Sequence, residues 1–137
     1  MSNKPLLRVI VAGGRDFDNY DLLCTKLDKI LSKVSQTHEI HIVCGMARGA
    51  DSLGAEYAKA RGYAVDSYPA EWNRYGKRAG YLRNATMANN ADALVAFWDT
   101  QSKGTSHMIT LAREKQLKVR VILYDRYTHD EIRLHDD

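Results

Sequence analysis

With 137 residues and a formal net charge of +3, the chain is long enough for one packed core and too mildly basic to present a nucleic-acid-binding stripe. Its longest apolar run, Leu6 to Ala12, is broken by Arg8 and is far too short to cross a bilayer; Met1 to Pro5 lacks the apolar segment of a secretory signal. A cytoplasmic protein with no membrane partner is expected, and nucleic acid is disfavoured as a partner.

In chain order, Leu6 to Ala12 reads as a buried strand and Gly13 to Asp18 as a turn. Asn19 can cap a helix running through Val34, because Leu23, Leu27, Ile30, Leu31 and Val34 follow a 3.6-residue period. Ile40 to Cys44 is a second strand, and Asp51 to Arg61 a second helix closed by Gly62. Tyr63 to Tyr68 is a third strand ended by Pro69, and Ala70 to Gly76 reads as a loop. Lys77 to Asn90 is a helix with Leu82 and Met87 as core contacts, followed by a strand over Ala91 to Phe97. A polar loop, Thr100 to Lys103, precedes a helix from Gly104 to Gln116 and a last strand from Lys118 to Tyr124. One domain over 1–137 is expected, with its core at about 7–123 and 124–137 a charged, peripheral tail. Strand and helix alternate and the strands are continuously apolar, which predicts an α/β domain with a mainly parallel sheet of five strands and helices on both faces.

Each glycine-rich turn follows a strand end, where such sheets bind ligands. The first is Gly13-Gly14-Arg15-Asp16, in which the glycines permit close approach, Arg15 can grip an anion, and Asp16 can accept from ribose hydroxyls or orient Arg15. The second joins Gly45, Arg48, Gly49 and Asp51 to a helix start, an arrangement of N–H donors suited to phosphate; Asp51 can instead simply cap that helix. The third runs from Glu71 to Asn84. Trp72 and Tyr75 can stack on a base, Arg83 and Asn84 face back toward the sheet, and Glu71 is the candidate acid or base; alternatively Trp72 packs in the core and Glu71 pairs locally. The fourth places Gly104 and Thr105 at the start of the last long helix. Neither the Walker pattern nor the dinucleotide fingerprint is present, so no cofactor is expected. Cys24 and Cys44, and the histidines His38, His41, His107, His129 and His135, lack metal-ligand spacing, so no metal site is expected.

Taken together, these segments resemble the YspA/YpsA-related branch of the SLOG superfamily, which includes the DNA-processing protein DprA and the LOG phosphoribohydrolases. The marks are Gly-Gly-Arg-Asp-Phe at 13–17, Gly-Met-Ala-Arg-Gly-Ala-Asp at 45–51, the Trp72 to Asn84 stretch and Lys-Gly-Thr at 103–105. The resemblance implies a Rossmann-like domain that binds a nucleotide or nucleotide-derived ligand, an ADP-ribose-type signal among them, as a sensor or sponge. It also implies self-association as a homodimer or higher oligomer, with the helix at 77–90 as the contact. The alternative it implies is an N-glycosidase or phosphoribohydrolase of nucleotide metabolism; a DNA-associated protein is the third. LOG enzymes carry Pro-Gly-Gly-x-Gly-Thr-x-x-Glu. This chain keeps Gly104 and Thr105 but lacks the leading glycine pair and has Met108 in place of the glutamate.

Overall fold

Successive side chains of a strand point to opposite faces, so strands apolar at every position need cover on both sides. The computed structural model describes residues 3–45 and 48–133. Its sheet contains β1 (Leu6–Gly13), β2 (Glu39–Cys44), β3 (Ala64–Ser67), β4 (Ala93–Trp98) and β5 (Lys118–Leu123). All neighbours pair in parallel, in the order β3-β2-β1-β4-β5. Val9, Val11, Ile42 and Val95 point to one face. There they meet Leu23, Leu27 and Leu31 of α1 (Tyr20–Leu31) and Tyr57 of α2 (Ala50–Arg61). Ile10, Ala12, Val43 and Leu94 point to the other face, against Met87 of the helix Ala79–Asn89 and Met108, Ile109 and Ala112 of the helix Lys103–Glu114. A single-turn α3 (Trp72–Tyr75) precedes these two, which are α4 and α5. The five-stranded parallel sheet with helices on both faces is the fold expected from the strand–helix alternation.

The connections leave β1 toward β2 and β3, then cross back to place β4 on the other side of β1. The crevice of such a sheet opens where neighbouring connections diverge, here at the carboxyl ends of β1 and β4.

Several boundaries differ from the sequence reading. Asn19 does cap α1, its Oδ1 accepting from the Leu22 N–H at 3.0 Å, but the helix ends at Leu31. A 3₁₀ turn at Val34–Gln36 then carries Val34 onto the core. The expected loop at 70–76 contains α3 and leads into a 3₁₀ turn at Gly76–Arg78, so α4 starts at Ala79 rather than Lys77. Gly76, at φ 59°, makes the break between them. Of the two core contacts assigned to this helix, Met87 is buried and Leu82 half-buried.

Residues 124–133 are mostly exposed, as expected of a peripheral segment, but they are anchored to the domain at particular residues. Tyr124 is fully buried against Phe17. It also bridges to Glu131, and the Glu131 carboxylate lies 2.7 Å from Lys26 Nζ on α1. The Asn19 side chain donates to the His129 carbonyl at 2.9 Å, and His129 pairs with Asp18. The rest of the expected tail, 134–137 with His135, lies outside the described residues. Among the described residues no helix is long and apolar enough to cross a membrane.

Candidate functional site

The turn after β1 is held by what its glycines lack. A Cβ on Gly13 would lie 2.4 Å from the Phe97 carbonyl oxygen, and one on Gly14 would lie 2.0 Å from the Tyr124 hydroxyl. Packing of the turn on β4 and Tyr124 therefore demands glycine at both positions. The Gly14 carbonyl accepts from the N–H groups of Phe17 (3.2 Å) and Ala50 (3.3 Å), joining this turn to the start of α2. Phe17 is the plug beneath, its ring 5.2 Å from Phe97 and 4.6 Å from Tyr124. Above it, the Tyr124 hydroxyl donates to Asp16 Oδ1 at 3.3 Å. Burial, and then the Asp16 charge, push the Tyr124 phenol above its ordinary range, so it remains a donor. The carboxylate of Asp16 is thereby fixed at the cavity wall beside Arg15.

Gly49 is the residue before α2 and has φ 79°. A Cβ there would meet the Gly14 carbonyl oxygen at 2.1 Å. Because Gly49 occupies the capping position, Asp51 is not the cap: it is the second helical residue and is buried. Gly45 fits against α4, where a Cβ would lie 2.2 Å from Arg83 Nη1. Arg83 Nη1 donates to the Gly45 carbonyl at 2.6 Å, and its Nε donates to Asn84 Oδ1 at 3.1 Å. Burial lowers the Arg83 pKa, the Asp51 charge opposes that shift, and Arg15 adds to it. An arginine nevertheless stays protonated at neutral pH. Met46 and Ala47, within the same segment, lie outside the described residues.

The third part is the start of α5. Asp99, directly after β4, accepts from the N–H groups of Gln101 (2.9 Å) and Ser102 (2.8 Å), and Trp98 Nε1 donates to the Ser102 carbonyl at 3.1 Å. These bonds set Ser102 as the cap, its Oγ accepting from the Thr105 N–H at 3.4 Å and lying 3.0 Å from Thr105 Oγ1. The Ser106 N–H goes to the Ser102 carbonyl. The N–H groups of Lys103 and Gly104 are the ones the helix does not use. Gly104 has no packing reason to be glycine, since a Cβ there would find nothing within 4 Å.

These parts line an open cavity of about 520 Å³ at the carboxyl ends of β1 and β4. Of the residues singled out in the sequence, Gly13, Gly14, Arg15, Asp16, Asp51, Trp72, Arg83, Asn84, Gly104 and Thr105 line it. Gly45 and Gly49 stand behind the lining and hold Arg83 and the first turn. Arg48 is exposed and outside the lining. Glu71 is exposed beside α3, also outside it, and Tyr75, half of the Arg74 cation–π pair, is likewise outside. Trp72 does not pack in the core: it is 51% exposed and forms a rim of the cavity.

Tyrosines aside, the buried polar or charged residues among the described residues are Asp51, Asn84 and Thr105, and all three line this cavity. The sequence reading missed Lys77, Tyr81, Asp99 and Arg126 as lining residues. Asp99 and Arg126 follow β4 and β5, so the strand-end rule was the signal that would have found them. Among the described residues no group of three or more His, Cys, Asp or Glu is placed to hold a metal ion.

The family model described as the YspA, cpYpsA-related SLOG family matches residues 7–75. A curated relative, the Gene 61 protein of Mycobacterium phage D29, is 30% identical over an alignment of 122 residues, and the match covers 82% of this chain and 93% of the relative. Among solved structures, DNA processing protein A (DprA) from Streptococcus pneumoniae superposes with a TM-score of 0.66 at 16% identity, covering 91% of this chain and 53% of that one. This chain therefore spans about half the length of DprA. The structural-genomics target TM1055 gives a TM-score of 0.60 at 18% identity over 83% of this chain and 72% of its own. At these identities the two structures are alike in fold alone.

Proposed function

The chain belongs to the YspA, cpYpsA-related SLOG family, and from that premise we propose that it binds a phosphorylated, nucleotide-derived small molecule in the cavity beyond β1 and β4. One observation carries this reading: Asp51, Asn84 and Thr105 are buried together around one cavity. Burying polar groups costs stability unless they are partnered, so three of them gathered around one cavity mark it as the candidate site. The phosphate is assigned to the start of α5, where the unused N–H groups of Lys103 and Gly104 meet the positive end of the helix dipole. Arg15, Lys77, Arg83 and Arg126 supply the positive charge of the lining. Asp16, fixed by Tyr124, suits ribose hydroxyls, and exposed Trp72 suits a base, since stacking contributes roughly 1–3 kcal/mol per base.

Hydrolysis of the N-glycosidic bond is the second reading, and it draws on the carboxylates of Asp16, Asp51 and Asp99 in the lining rather than on Glu71. Calorimetry with adenosine 5′-monophosphate (AMP) and adenosine, followed by chromatography of the mixtures, tests both readings. Tighter binding of AMP, recovered intact and unaffected by a chelator, is the expected result. Release of free adenine would replace binding with hydrolysis. Equal affinity for AMP and adenosine would remove the phosphate assignment. Self-association through α4 belongs to the same proposal: Tyr81 is 48% exposed on that helix, and Tyr81→Lys should shift a dimer to monomer in light scattering.

A further inference from the structure

We propose that His107, which does not line the cavity, is a positioning residue that holds Arg83 in place through the side-chain amide of Asn84. The inference rests on the ligand site proposed above for its effect on binding, and on hydrogen-bond geometry alone for the relay itself.

Arg83 Nε–H can only donate, and it lies 3.1 Å from one terminal atom of Asn84, which must therefore be Oδ1. The Asn84 NH₂ then faces the other way, 3.4 Å from the Gly104 carbonyl and 3.2 Å from His107 Nδ1. A donor facing Nδ1 requires that nitrogen to be an acceptor. The imidazole must be neutral with its proton on Nε2.

Three elements are tied by this chain of bonds. Arg83 also holds the Gly45 carbonyl after β2, and Asn84 holds Gly104 at the start of α5. The surroundings of His107 favour the neutral ring. From α4 it is faced by Asn84 and by the edge-on ring of Tyr81, 4.5 Å between centroids. Burial lowers its pKa, and Glu114 on its own helix opposes that shift. The groups acting electrostatically on Arg83 itself are Asp51 of α2, Arg15 of the first turn and Cys44 at the end of β2. A proton on Nδ1 would set two donors against each other. The amide would then turn away, and Arg83 would lose the acceptor that fixes its guanidinium plane. Lowering the pH should therefore loosen Arg83 in the cavity wall through a histidine that does not itself line the cavity.

Nitrogen-15 NMR of the full chain tests the relay without any ligand. The expected result is a neutral His107 with Nδ1 unprotonated at pH 7.5. As the pH falls, the Arg83 Nε–H resonance should move with the His107 midpoint, below the ordinary histidine value of about 6.5. His107→Gln keeps an acceptor that does not titrate, so Arg83 should become pH-independent. Asn84→Asp turns the donor into a second acceptor and should raise the His107 midpoint above that of the parent. A proton on Nδ1 at pH 7.5, or an Arg83 resonance indifferent to His107, overturns the proposal.

The binding arm compares AMP affinity at pH 7.5 and 5.5 in the parent and in His107→Gln. Titration of the phosphate is common to both, so the difference isolates the histidine. The parent should lose about 5- to 150-fold more affinity than the variant, the usual range of a coupling between sites. Equal losses overturn the link to binding. Failure of AMP to bind either protein counts against the ligand assignment alone, and the NMR arm still decides the relay.

Discussion

Gly104→Val separates a ligand role from a folding role more sharply than any other single change. Residue 104 is the second residue of α5, and a Cβ built there meets nothing within 4 Å. The Cβ of a valine at this position meets open space. In a helix glycine is also the less favourable residue, by a few tenths of a kcal/mol against valine. The melting temperature should therefore stay where it is or rise slightly. The added side chain does, however, project from the residue whose N–H group the helix leaves unused, into the space where the phosphate is assigned. Blocking one charge-assisted hydrogen bond should cost about 1.5–3 kcal/mol, roughly a 10- to 150-fold loss of AMP affinity. Adenosine makes no phosphate contact and should bind nearly as it does to the parent. Calorimetry with both ligands, with a melting curve as control, reads the three quantities. Equal losses for AMP and adenosine would refute the phosphate assignment. A large drop in melting temperature would refute the claim that Gly104 is free of packing demands. Thr105→Ala should have a smaller effect, since the hydroxyl faces Ser102 and the backbone donors remain.

The glycines of the first turn should behave in the opposite way. Gly14→Ala drives a Cβ to 2.0 Å from the Tyr124 hydroxyl and should destabilise the protein by about 1–3 kcal/mol, seen as a lower denaturation midpoint. An unchanged midpoint would mean that Tyr124 can move away freely. Arg15→Ala should weaken AMP more than Arg48→Ala, because Arg15 lines the cavity and Arg48 stands outside the lining; the reverse order in calorimetry would place the phosphate nearer the second turn. The pairing with Asp18 raises the His129 pKa, so its contribution is fully present below the unfolded value of about 6.5 and is lost as the pH rises through the folded value. Melting curves of the parent and of Asp18→Asn should differ at pH 6 and converge at alkaline pH; a constant gap would assign the effect of Asp18 to something other than this titration.

The parallel sheet and its helices were legible in the sequence because both depend on local, periodic burial. β1 is apolar on both faces, and Leu23, Leu27 and Leu31 recur on one side of α1. The turns were legible too, since glycine, arginine and aspartate cluster where strands end. The family resemblance rested on those same turns. Other features were invisible because they depend on contacts between residues far apart in the chain. Nothing local shows that Gly13 and Gly14 are glycines for the sake of Phe97 and Tyr124, whereas Gly104 is not confined by any neighbour. Nothing local distinguishes Arg83, which reaches the Gly45 carbonyl across 38 positions, from Arg48, which stands in solvent. The segment after β5 reads as peripheral by its charge, yet Tyr124 buries against Phe17 and Arg126 reaches the cavity. Pattern in the sequence determined which elements form and which face each buries. Only tertiary packing decided which polar side chains share one cavity, because that depends on strand order and on the close approach of turns distant in sequence.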